Sequence, residues 1–294
     1  MCAIAQIFTS HDPAGDFALS PPLVAETAAA RASGDVTTIL TVPFLWTNNA
    51  VGVANEMGAT GKADFHLNPD LMLRWRHQFD FVRITASADI AFDRYIYDGA
   101  LSGDTLTGSV KMALTDGSSD LFVPYVGYAA MADYEPGFSR RDDIFNTFSL
   151  GFTSGIGFDA KNKVIPFSQS FGVGDWSAAI DVSAGRRLAA PKDFENVFAI
   201  VLIDVVYNLT DDLHLGLAPR ARWRNYPDYF GTNRRDLFLA LQARAELTPK
   251  WLTERLPGAE IDITIEYQRN LSNLPTVRYN RWELGPALIF TRHF

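Results

Sequence analysis

The chain of 294 residues has a single cysteine, Cys2, and five histidines. One thiol excludes an internal disulfide framework and any metal site built from several thiolates. Positive charge is also in deficit. Lysine and arginine number 26 against 34 acidic residues, giving a formal net charge of −8 and a sequence pI near 5.1. That balance argues against a nucleic-acid partner. No stretch reaches the roughly 18–20 apolar residues that a spanning helix requires. The longest candidate, VFAIVLIDVV (residues 197–206), is short and contains Asp204.

What is present points elsewhere. Apolar residues make up 47% of the chain at a mean hydropathy of −0.02, and aromatics reach 13%, with 21 Phe, 10 Tyr and 6 Trp. From about residue 35 onward the pattern has period two, the spacing of strands with unlike faces. In FHLNPDLMLRW, Phe65, Leu67, Pro69, Leu71, Leu73 and Trp75 alternate with His66, Asn68, Asp70, Met72 and Arg74. LHLGLAPRARWRNY sets Leu213, Leu215, Leu217, Pro219, Ala221 and Trp223 against His214, Gly216, Ala218, Arg220, Arg222 and Arg224. EIDITIEYQRN sets Ile261, Ile263, Ile265 and Tyr267 against Asp262, Thr264, Glu266 and Gln268.

About twelve such strands are expected, most of them as long as a tilted membrane strand needs. A soluble sandwich would carry fewer charges at alternate positions of so many long strands. The fold class expected is all-β, a closed antiparallel transmembrane β-barrel over residues 34–294, with one file toward lipid and one toward a hydrated lumen. Connections after odd strands, such as NYPDYFGTNRR, tend to read as longer than those after even strands, with two exceptions, DAKNKVIPFSQSFGVGD and TPKWLTERLPGAE, which are long where short turns are expected, the second with room for a one-turn helix. That alternation implies extracellular loops on one side, with short turns and both termini in the periplasm. Residues 1–33 read differently. Ala3-Ile4-Ala5 before Gln6 has the form of a signal-peptide cleavage remnant, and the Pro/Ala-rich stretch after it reads as a periplasmic or plug-like segment.

The closing stretch RWELGPALIFTRHF resembles the assembly signal of bacterial outer-membrane β-barrel proteins, a porin-like superfamily. Glu283, Gly285, Leu288 and Phe290 fit its spacing and Phe294 supplies its terminal aromatic. The resemblance implies insertion by the barrel-assembly machinery into a Gram-negative outer membrane, among lipids and lipopolysaccharide. It identifies no subfamily.

Candidate chemistry lies on the inward files. Arg220, Arg222 and Arg224 share one file and Arg244 faces them from the next strand, with Arg281, Arg74, Arg76 and Arg83 as further lumen cations. Such arginines either favour anions in a pore or brace the lumen against acidic partners, here Asp262, Glu266, Glu283 and Asp89. His66 is expected to pair with Asp89. His66 and Asp70 lie about 13 Å apart along a strand and cannot jointly hold a metal. No metal, cofactor or catalytic residue is assigned, and no GxSxG pattern occurs. The function expected is a channel or export pore for small hydrophilic solutes, anions among them. The alternatives are a closed interaction barrel or, third, an outer-membrane lipid hydrolase.

Overall fold

A computed structural model describes residues 36–50, 63–115, 121–165, 167 and 172–294. The segment at 1–33 expected as signal remnant and plug lies outside the described residues. Twelve strands form one closed antiparallel barrel. They are β1 (Val36–Thr47), β2 (in two pieces, Asp64–Leu67 and Asp70–Gln78), β3 (Val82–Tyr95), β4 (Gly103–Leu114), β5 (Val123–Tyr134), β6 (Arg141–Phe158), β7 (Trp176–Ala190), β8 (Asn196–Thr210), β9 (Leu213–Tyr229), β10 (Thr232–Leu247), β11 (Ala259–Ser272) and β12 (Tyr279–His293). Each pairs with its chain neighbours, and β12 returns to β1, placing Arg292 opposite Thr38 and Leu288 opposite Val42. Closure leaves no edge strand to aggregate or to lose hydrogen bonds in lipid. The break in β2 falls at Pro69, which has no N–H for the ladder. The ladder continues around it, Asn68 donating to Pro43 and Phe92 to Pro69.

Burial is inverted relative to a soluble protein. Leu73 is 51% exposed, Leu150 66% and Ile263 54%, whereas Arg222 is 3% and Asp204 1% exposed. Large apolar side chains thus cover the outside, and charged ones fill the inside. Only a hydrocarbon surround makes the outward file favourable.

Outward aromatics mark both ends. Near the end reached by the odd strands, Phe44 stacks on Phe65 at 5.6 Å and Tyr267 meets Trp282 at 4.8 Å. Near the end that carries the described termini, Phe122 meets Phe152 at 4.9 Å and Trp176 meets Tyr207 at 4.5 Å. On β2 the two bands are represented by Phe65 and Trp75. That separation, at about 3.3 Å per residue with about 45° of tilt, corresponds to roughly the apolar band height of an outer-membrane barrel.

Connection lengths do not divide the two ends cleanly. The end with the termini has the two-residue turn 211–212 and the two long connections expected as exceptions, residues 159–175 and 248–258. The latter contains a one-turn helix, Lys250–Thr253. At the opposite end NYPDYFGTNRR is not a loop. β9 and β10 run through most of it and meet at Phe230 and Gly231, both with positive φ. A tight turn at left-handed residues let the ladder extend past the polar sequence.

Candidate functional site in the barrel lumen

The lumen wall has two unlike sectors. Along β8 to β12 the inward residues form a dense brace. Arg244 grips Asp204 with two contacts of 2.8 and 3.0 Å and also binds Glu246. To reach Asp204 on β8 from β10, Arg244 must lie flat across β9. It does so over Gly216, its register partner, where an added Cβ would stand 2.7 Å from the guanidinium carbon. Arg220 likewise crosses β10 above Ala240 and pairs with Glu266 on β11. Gln268 donates to Glu266 at 2.8 Å and to Glu283 at 3.1 Å, and Glu283 takes Arg281 at 3.0 Å. The small residue on the crossed strand is what permits each bridge.

The other expected residues are distributed around this brace. Arg222 lies 5.0 Å above the Phe238 ring and Arg224 donates to the Tyr226 hydroxyl at 3.2 Å. Asp262 is buried beside Glu246 and Glu260. Arg74 is buried between Thr37 and Ser87, and Arg83 is half-buried between Gln78 and Ala113. These two stand toward the end with the termini, away from Arg281, so the cations do not form a single ring. Asp89 faces Met72 and Thr107.

The expected His66–Asp89 pair is corrected. His66 contacts Asp93 at 2.9 Å and lies 3.5 Å from Glu283, stacked on Tyr95 at 4.8 Å. The β2 offset around Pro69 carries His66 past Asp89, and closure brings β12 within reach across β1.

On the opposite side the wall is thin. The central inward residues of β4, β5 and β6 include Thr105, Thr107, Ser109, Gly127, Ala129, Thr147, Ser149, Gly151 and Thr153, and all are half-exposed although they face the interior. The largest polar groups there lie along the wall. Tyr125 reaches over β6 to donate to Asp181 at 2.7 Å, and Lys111 sits 3.9 Å above the Tyr125 ring and 3.6 Å from Asp181. One more side chain enters the lumen: Phe167 packs on Gly155, Ala179 and Val206, all on inward files. This explains why β8 is apolar on both faces near Val206. Lys111, Tyr125, Asp181 and Phe167 were absent from the sequence candidates. Lys111 carried one signal, as a lone lysine on an otherwise small inward file.

Glu246, Glu260 and Asp262 bring carboxylate oxygens within 4.8 Å of one another and are the described residues that could hold a cation. Arg244 supplies positive charge to Glu246 there. His214 stands opposite Glu246 in the ladder, beside this group, and contacts Asn208 at 2.7 Å, whereas His293 meets Thr37 and His77 lies between Trp75 and Phe79.

No family model matches the sequence, and no curated protein matches it. Among solved structures the chain is similar to an outer membrane channel from Pseudomonas putida F1, with 12% identity over 90% of this chain and 97% of that one and a TM-score of 0.52. This is an outer-membrane β-barrel fold. Looser superpositions include the outer membrane channel DcaP of Acinetobacter baumannii, 8% identical over 89% of this chain and 98% of that one with a TM-score of 0.42. Another is LpxR from Salmonella typhimurium, 7% identical over 87% and 99% with a TM-score of 0.41. The apolar belt and this fold are those of a membrane-spanning β-barrel.

Proposed function

We propose that the barrel is a passive channel for small hydrophilic solutes, not a hydrolase, with both termini on the periplasmic side. The observation that carries this reading is the half-exposed, small and polar inner wall of β4 to β6. An inward side chain stays accessible only where the space beside it is open, and Ser, Thr and Gly leave room for water and solute. The path in this reading is eccentric, bounded on one side by that wall and on the other by the arginine brace. Lys111 faces it directly, and the buried Arg222 and Arg224 add to its field from within the brace, for an anion preference tempered because the brace also carries carboxylates.

Purified protein in planar bilayers is expected to conduct, with reversal potentials leaning toward anions. Lys111→Glu is expected to move the reversal potential toward cations, and Arg222→Gln with Arg224→Gln to do the same. An unchanged reversal potential in both would remove the anion preference. A second reading, a closed barrel whose loops bind a surface partner, is favoured by the density of the β8–β12 brace. Absence of any conductance selects it.

A further inference from the structure

Three arginines on the outer surface have a different character from those inside. Arg235 on β10 and Arg269 on β11 are exposed, and Arg278, just before β12, is half-exposed. All three point away from the lumen, beside the buried inward residues Asp236, Asn270 and Tyr279. Other outward arginines near the same end are paired within the chain, Arg140 with Glu135 at 2.6 Å and Arg186 with Glu195 at 3.5 Å. Among the described residues, no carboxylate lies within ion-pair distance of Arg235, Arg269 or Arg278. In a chain of net charge −8, a cluster of three cations without an acid stands out.

The register brings them together. Arg269 is opposite Leu239 and Asn280, so Arg278 stands just beyond it toward the rim. The Arg235 carbonyl accepts from the Asn273 N–H at 3.1 Å, level with the end of β11. The patch therefore spans three neighbouring strands and about 13 Å along them, within reach of extended guanidinium groups. Its frame is held by side chains. Asn273 accepts from the Arg235 N–H at 2.6 Å and donates to the Asn233 carbonyl at 2.8 Å. Arg278 donates to the Ser272 carbonyl at 2.6 Å. Immediately on the membrane side are Tyr267 and Trp282, with the Tyr267 hydroxyl donating to Asn280 at 3.1 Å.

We propose that this patch binds a phosphate group of lipopolysaccharide in the outer leaflet. The arginines stand just above the aromatic band, at headgroup depth, where tyrosine and tryptophan mark the boundary between hydrocarbon and polar groups. Guanidinium pairs bidentately with phosphate, and a ligand at that depth is delivered by the membrane itself, which favours binding of an anionic headgroup. The acyl chains of the same molecule would lie along the outward Leu237, Leu239, Leu241, Ile263 and Ile265. The proposal rests on the orientation stated under Proposed function, with this end outward.

The test uses the full chain in nanodiscs of neutral lipid. Binding of phosphorylated lipid A, dephosphorylated lipid A and phosphatidylglycerol is measured by native mass spectrometry. Wild type is expected to retain phosphorylated lipid A and neither of the others. The triple substitution Arg235→Gln, Arg269→Gln and Arg278→Gln is expected to weaken retention at least tenfold, while its bilayer conductance and heat-dependent gel shift stay at wild-type values. Equal retention of dephosphorylated lipid A or of phosphatidylglycerol overturns the proposal, and so does undiminished retention by the triple variant. Orientation is read separately, by labelling Lys192→Cys in a Cys2→Ser background with an impermeant maleimide on intact cells. Labelling without lipid A retention rejects the patch alone, and no labelling rejects the orientation.

Discussion

Gly216 and Gly285 show what a missing Cβ does in this barrel. Gly216 leaves the gap through which Arg244 crosses β9 to Asp204. Gly216→Val would lift the guanidinium off its carboxylates and strand Asp204 in the interior. Breaking a buried pair in this way costs about 3–5 kcal/mol, so the temperature of the heat-induced gel-mobility shift should fall well below wild type. An unchanged temperature would mean the bridge contributes little. At Gly285 an added Cβ would run into the Phe44 carbonyl and the Leu45 Cα of β1. The glycine of the proposed assembly signal thus also has a local task, since it lets β12 close against β1. Gly285→Ala is expected to lower heat resistance, whereas Leu288→Ala, on the outer file, should leave the seam intact and slow insertion instead. Pulse-labelled appearance of the heat-modifiable form separates the two effects.

Elements explain which features could be read from the sequence. Strands β2, β3, β9 and β11 announce themselves because a large apolar file faces a charged one, and their inward residues, including Arg220, Glu266 and Asp262, lie on the expected face. The strands at 104–115, 120–133 and 143–157 read less cleanly for a physical reason that bears on function. Most of their central inward residues are Thr, Ser, Gly and Ala, which contrast weakly with the outward file and line the open sector. Pairing across an intervening strand, as from Arg244 to Asp204 or from His66 to Glu283, depends on register and closure, and no local pattern encodes it. The segment between β6 and β7 was the least legible stretch, and it contributes Phe167 to the lumen. Phe167→Ala should raise single-channel conductance by widening the path beside Val206. Conductance equal to wild type would place the narrowest point elsewhere.

At the scale of the whole molecule, the barrel is a thick wall facing a thin one. The arginine brace fixes the shape of one half, since its charges are held by bridging carboxylates. The other half keeps mostly small side chains along the middle of its wall and lays Tyr125 and Lys111 flat, so the open space is displaced toward β4–β6. The claim that water runs along that wall can be probed by single-channel current in a Cys2→Ser background before and after a charged thiol reagent. Ser149→Cys, on the thin wall, should lose most of its current on modification. Ala240→Cys, beneath the Arg220–Glu266 bridge, should lose little. No current from either protein, or equal block at both positions, would contradict the account.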